Sequence, residues 1–244
     1  MNVFLCVIII ILIIILTQYK LECFRNTEGI NKLGGIIYIN LENRPDRKKL
    51  LIKELQSINT NMSKVHKVNG IFIPKNGHKG CVQSHIIALK MIKINKWDKA
   101  LILEDDAQLN IDPKIFNHII EKAITILDKN DPDWNVIMLA TAYKNVTPKY
   151  YLHNTPEITL DRLHRATTSS AYIIKNSYVD KLLNLFEHCN ENMSSDKLSG
   201  DNQEYWALDQ KWMPLQEQDN WYSFSIDPIK QRAIWSTTMT HSHK

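Results

Sequence analysis

Ala100-Leu101-Ile102-Leu103-Glu104-Asp105-Asp106 sets four apolar residues directly against three acids. A short apolar run of this kind reads as a buried strand. Three adjacent carboxylates cannot be buried without a counter-charge, because desolvation and mutual repulsion would protonate them. The strand must therefore surface at its C-terminal end, with the acids at a polar edge. In open α/β sheets that edge is where ligands bind. A carboxylate cluster there suits a hard divalent cation, which takes oxygen ligands and bridges to phosphates. The same residues also describe a strand followed by a solvated acidic turn. The stretch alone leaves both readings open.

Working outward, the N-terminal side repeats the alternation of strand and helix. Gly35 to Leu41 is a strand. Asn43-Arg44-Pro45-Asp46-Arg47 then opens a helical pattern through Leu50, Leu51, Leu55 and Ile58. Val65 to Asn69 is a second strand, closed by Asn69-Gly70. His78 to Asn95 is helical, and Lys99 to Asp106 is the central strand. On the C-terminal side, Asp112 is a good N-cap and Pro113 a good first residue for a helix through Leu127. Trp134 to Thr141 is a further buried strand. This order predicts an α/β fold with a mostly parallel sheet and helices on both faces. Beyond Thr141 the pattern loosens. Tyr143 to Leu163 reads as loops and short strands. Thr168 to Lys175 is a strand running into a helix through Val179, Leu182, Leu183 and Phe186. Glu191 to Asn202 is a polar loop, Tyr205 to Trp212 a short helix carrying Asp209, and Trp221 to Ile226 a last strand. Gln231-Arg232 fall in a final loop.

The 244 residues, 44% apolar and 23% charged, are those of an ordinary globular chain. A net charge of +4 without a Lys/Arg block gives no indication of nucleic-acid binding. Cys6, Cys23, Cys81 and Cys189 fit neither a zinc site nor a disulfide scaffold and are expected as reduced thiols. Val3 to Leu16 is an unbroken apolar run, shorter than the ~20 residues of an ordinary spanning helix. It reads as a signal anchor, or as a signal peptide, within residues 1–20. Residues 21–34 form a stem, and residues 35–240 one catalytic domain. The expectation is a membrane-associated, single-pass protein, with the side of the membrane left open. Asn61, Asn145 and Asn192 head glycosylation tripeptides should the domain be lumenal. The dinucleotide fingerprint and the Walker A loop are both absent, so phosphates would need another holder.

Three motifs follow one another along this framework: Ile39-Asn40-Leu41-x-x-Arg44-x-x-Arg47, Gly80-Cys81-x-x-Ser84-His85 and Leu103-Glu104-Asp105-Asp106. With Ser170-Ala171-Tyr172-Ile173-Ile174, Asp209 and Gln231-Arg232-x-x-x-Ser236 behind them, they resemble glycosyltransferase family 25. That family includes lipooligosaccharide and procollagen galactosyltransferases. The chain departs from it at Asn69-Gly70 and Thr237-Thr238, where the family usually has an acid. The resemblance implies a GT-A type fold, a UDP-sugar donor, Mn²⁺ or Mg²⁺, and inversion at the anomeric carbon. It implies Asp106 as the direct metal ligand, with Glu104 and Asp105 contacting the ribose or a metal-bound water. The acceptor would be a hydroxyl on a glycan, lipooligosaccharide or protein.

Inversion in one displacement needs a base on the face opposite the leaving group. Asp209 is the candidate, with Glu204 and Asp201 in reserve; it could instead be a solvated helix carboxylate. Arg44 and Arg47 either approach the nucleotide or are exposed first-turn residues, Arg47 bridging Asp46 or Glu54. Ser84 and His85 face the same sheet edge. His85 bonds the donor, orders the acidic loop or is a core histidine. Cys81 reads as packing. Trp206, Trp212, Trp221 and Tyr222 could offer sugar platforms, although core packing is the commoner role. Two other functions compete. A catalytically inactive relative could serve as a binding or scaffold protein. A phosphohydrolase would need further ligands at the other strand ends, which Asn40, Asn69 and Thr141 do not offer.

Overall fold

A computed structural model describes residues 8–15, 17, 27–152, 158–194 and 200–233. In chain order these hold β1 (Gly35–Asn40), α1 (Pro45–Ser57), β2 (Val65–Asn69), α2 (Gly77–Asn95), β3 (Lys99–Glu104) and β4 (Ala107–Leu109). There follow α3 (Pro113–Asn130), β5 (Val136–Met138), β6 (Ala142–Tyr151), β7 (Thr159–Thr167), β8 (Ala171–Lys175) and α4 (Asn176–Asn192). The last are α5 (Gly200–Tyr205), α6 (Leu208–Lys211), α7 (Met213–Gln218), β9 (Trp221–Phe224) and β10 (Ile229–Gln231).

Eight strands form one sheet in the order β2-β1-β3-β8-β5-β9-β7-β6. β1 lies parallel to β2 and β3, and β5 parallel to β9; β7 and β8 run against their neighbours. The mostly parallel α/β sheet is thus present, with six strands running one way and two reversed, β8 in its middle and β7 next to its far edge. Every residue of β1 is buried, as a strand covered on both faces requires. Its side chains alternate between two cores. Ile36 and Tyr38 join Leu101, Leu103 and the apolar stripes of α1 and α3. Ile37 and Ile39 join Ala100, Ile102 and the stripes of α2 and α4.

Several expectations are corrected. The stretch expected as loops and short strands instead holds long ones: β6 and β7 form an antiparallel pair at the sheet's far edge. β6 is largely exposed and carries Pro148. An edge strand tolerates both, but together they erase the apolar signal. The Asp209 segment is three short helices, α5 to α7, and not one helix over 205–212. The strand expected from Thr168 starts at Ala171, leaving Thr168–Ser170 as a turn. β4 and β10 make a separate two-stranded sheet that had no periodic signal.

Cys81 and Cys189 are free thiols; Cys6 and Cys23 lie outside the described residues, as do Ser236, Thr237 and Thr238. Residues 8–15 are helical. Among the described residues no helix is long and apolar enough to cross a membrane. The rest of the N-terminal run falls outside them.

Candidate active site

The carboxyl ends of β2, β1 and β3 and the start of antiparallel β8 meet at one edge of the sheet. The cleft there encloses about 660 Å³, its open mouth included, and Glu104, Asp105, Asp106, Arg47, His85 and Gln231 line it. The acidic triplet therefore faces a cavity, at the kind of edge where open sheets bind ligands.

The three acids have three different surroundings. Asp105 is closed off: Arg47 donates to its Oδ1 at 3.0 Å and the Asn40 amide to its Oδ2 at 2.8 Å. Arg47 is buried on α1 and bridges neither Asp46 nor Glu54. Its guanidinium compensates the buried carboxylate, as such burial demands. Glu104 sits in a hydrogen-bond network. Ser169 Oγ and His85 Nε2, at 3.2 Å, both donate to its Oε1, while Tyr172 Oη meets His85 Nδ1 at 3.0 Å. Burial opposes the Glu104 charge, but the hydrogen bond and charge of His85 outweigh it and hold the carboxyl below its usual range.

Asp106 is different. It is 5% exposed, and its Oδ2 accepts from Gln231 Nε2 at 3.1 Å. Its Oδ1 is buried and accepts no hydrogen bond among the described residues. Burial, with the Glu104 charge next, pushes its carboxyl up to about 7. Buried polar atoms are nearly always paired, so an unpaired carboxylate oxygen on a residue that lines a cleft calls for an explanation, and a bound ion is one. A hard divalent cation fits it, being bound by such oxygens. The mini-sheet delivers Gln231: β10 pairs Gln231 with Ala107, and the Arg232 amide donates to Asp106 O at 2.7 Å.

Asp209, on α6, is not among the cleft-lining residues but is linked to Glu104 through the turn Thr168–Ser170. The Thr168 amide donates to Asp209 Oδ2 at 3.0 Å. One residue on, Ser169 holds Glu104, and Ser170 O accepts from the Glu104 amide at 2.8 Å. Thr168 has φ +79°, a strained value for a β-branched residue. Burial raises the Asp209 carboxyl above its usual range; the Thr168 amide works against this and the Glu104 charge reinforces it. A carboxylate of raised pKa is a better proton acceptor near neutral pH than an ordinary one.

The remaining expected residues divide. Arg44 pairs with Asp46 at 2.9 Å and is not among the cleft-lining residues. Ser84 accepts from the Ile71 amide at 2.8 Å and donates to Gly80 O at 2.7 Å, so it fastens a loop to α2. Cys81 reaches the cleft, with Sγ 3.9 Å from Glu104 Oε1; burial pushes its thiol up, which makes it a poor nucleophile. Cys81, His85 and Glu104 offer ligand atoms within 4.8 Å of one another. The Glu104 oxygen there already takes two stronger donors, so this cluster reads as a satisfied network. Trp212, Trp221 and Tyr222 are fully buried core residues, while Trp206 is partly buried. Thr168, Ser169 and Asn40 were missed as site residues. Asn40 at a strand end was the available signal; a Thr-Ser-Ser run before a strand carries none.

A family model described as glycosyltransferase family 25 (LPS biosynthesis protein) matches residues 75–199, half of the chain. No curated protein sequence matches. Among solved structures, the mannose-1-phosphate geranyltransferase of Thermus thermophilus is similar at 8% identity, covering 81% of this chain and 73% of that one with a TM-score of 0.44. A glycosyltransferase involved in glycosylation of the major capsid of PBCV-1 is similar at 10% identity, covering 83% and 93% with a TM-score of 0.43. On the family match, spanning α2, the acidic triplet and β8, the chain belongs to glycosyltransferase family 25.

Proposed function

We propose that this glycosyltransferase moves a hexose, galactose or glucose, from a UDP-sugar to a hydroxyl of a glycan, lipooligosaccharide or protein. The transfer inverts the anomeric carbon and uses Mn²⁺ or Mg²⁺. One observation carries the reading: Asp106 lines the cleft, and its buried Oδ1 has no hydrogen-bond partner among the described residues. That oxygen would hold the ion, with Gln231 fixing the other. Such an ion, when bound, supplies Lewis-acid neutralisation of a leaving diphosphate. Arg47, 3.9 Å from Asp106 Oδ2, adds positive charge on the same side. Asp105, Arg47, Asn40, Ser84 and His85 form the frame of the donor site, and Glu104 and Asp106 meet the donor.

Asp209 takes the proton from the acceptor hydroxyl as it attacks. Its raised pKa supports that role, as does its link to Glu104 through Thr168–Ser170. Two experiments test the reading. UDP release from UDP-galactose, UDP-glucose, UDP-GlcNAc and UDP-xylose is measured with Mn²⁺, Mg²⁺ or EDTA. At least one donor should turn over with metal and none with EDTA. Asp106→Asn should lower kcat/KM by about 10²–10³-fold. A folded chain that binds no UDP-sugar with either metal would refute the assignment.

The N-terminal run is read as a membrane-associating segment from side-chain chemistry alone: Ile8 to Ile15 stand 40–56% exposed on their helix. Removing residues 1–20 should shift the protein from the membrane fraction to the supernatant; an unchanged distribution would overturn this.

A further inference from the structure

The segment between β2 and α2 carries an exposed aromatic that no chemistry so far uses. Phe72 is 57% exposed and lies on the rim of the cleft. Singly exposed apolar rings are common on protein surfaces, so it is the place of Phe72 on the cleft rim, and not its exposure, that points to an occupant. The backbone beneath it is fixed on three sides. The Gly70 amide donates to Asn40 O at 3.0 Å, and the Ile71 amide to Ser84 Oγ at 2.8 Å. The Asn76 amide closes the segment on Ile73 O at 3.1 Å. α2 approaches so closely that a Cβ on Gly80 would stand 2.3 Å from Ile71 O. Gly80 and Ser84 therefore serve to seat this segment on the helix, which leaves the ring of Phe72 outward over the cleft.

The order of strands along the edge decides what the ring meets. β2, β1, β3 and β8 are consecutive neighbours. Phe72 follows β2, the acids follow β3, and the Thr168–Ser170 turn that holds Asp209 precedes β8. β2 and β3 are two strand spacings apart, about 10 Å. A nucleoside-diphosphate sugar has its diphosphate in the middle, with the sugar and the nucleoside at opposite ends. With the diphosphate at Asp106, the sugar must lie toward Asp209, where the acceptor is deprotonated. The nucleoside then extends the other way, toward β2. A flat base needs a ring face there, and Phe72 is the aromatic on that rim.

We infer that Phe72 is the stacking platform for the nucleobase of the donor and that Gly80 and Ser84 act as positioning residues for it. This rests on the donor-site reading above. The test measures UDP and inorganic pyrophosphate binding by calorimetry, with Mn²⁺, for the full chain and for Phe72→Ala, Phe72→Tyr and Gly80→Ala. Phe72→Ala should weaken UDP about tenfold or more, the effect of truncating a base-stacking ring. It should leave pyrophosphate and the thermal midpoint unchanged. Phe72→Tyr should bind UDP like the parent. Gly80→Ala, which displaces the segment, should weaken UDP more than pyrophosphate. Equal UDP affinity in Phe72→Ala and the parent overturns the inference alone and leaves the donor site standing. An equal loss of UDP and pyrophosphate overturns it too, since the ring would then serve only the loop's structure. A parent chain that binds neither ligand removes both the inference and the donor-site reading.

Discussion

Two polar clusters in this protein are built from the same ingredients and reach opposite ends. At the C-terminus of α3, Asp131, Lys149 and Tyr222 close on one another. Lys149 Nζ donates to Tyr222 Oη at 2.6 Å and reaches Asp131 at 3.4 Å, and Tyr222 donates to Asp131 in turn. The ammonium also lies over the rings of Tyr150 and Tyr222. Burial pushes the Tyr222 hydroxyl up to about 12, so it stays a donor throughout the physiological range. At the end of β3, Asp105 is sealed just as fully by Arg47 and Asn40, yet its neighbour Asp106 keeps a bare oxygen. Both clusters pair an acid with a cation, although Lys149 is exposed and Asp131 only partly buried where Arg47 and Asp105 are buried; incomplete pairing belongs to the second. A cluster that only stabilises the fold saturates its acceptors. A site that must accept a ligand holds one open and is less stable for it.

The largest effect should come from Asp209, the proposed base. Asp209→Asn should lower kcat by about 10²–10⁴-fold, the usual contribution of a positioned base, with little change in donor KM. Burial raises the folded pKa of Asp209, and the base works ionised. The acid limb of the kcat profile should therefore lie above the usual aspartate range, with rate lost as pH falls through it. Steady-state kinetics across pH checks both points; wild-type kcat in the variant removes Asp209 from the chemistry.

A smaller effect is expected at the turn joining the two halves of the site. Ser169→Ala frees Glu104 from one donor but leaves His85 in place. It should cost about 10–100-fold in kcat/KM, typical for a group that orients a site residue, with an unchanged thermal midpoint. An equal and opposite result, lost stability with full activity, would make the turn part of the scaffold only.

The smallest effect on activity should come from the sealed cluster. Tyr222→Phe should leave kcat/KM at the parent value and cost about 1 kcal/mol of stability, the net worth of a hydrogen bond. Denaturant unfolding measures the second quantity. A Tyr222→Phe variant that lost activity while keeping its stability would erase the contrast between the two clusters.

Much of the frame was legible before any coordinates. The alternation from Gly35 to Thr141 rests on local periodicity, and the strands and helices fall close to where that periodicity puts them. The acids at the end of β3 were legible as a site at the sheet edge, since buried carboxylates there need a counter-charge or a ligand; that Asp105 and Asp106 are themselves buried, with Arg47 as the counter-charge, was not. The hairpin of β6 and β7 was not, because an exposed edge strand has no apolar face to advertise. Nor was the reversal of β8, which depends on which neighbour it pairs with.

The sequence by itself determined that a strand ends in three carboxylates at a sheet edge, because hydrophobicity and charge act locally. Only the tertiary structure decided which carboxylate stays open. Arg47 and Asn40 close Asp105 from α1 and β1, His85 and Ser169 occupy Glu104 from α2 and the β7–β8 turn, and Gln231 takes one oxygen of Asp106 from 125 residues away. Partners that distant leave no trace in spacing or composition; they exist only once the chain has folded.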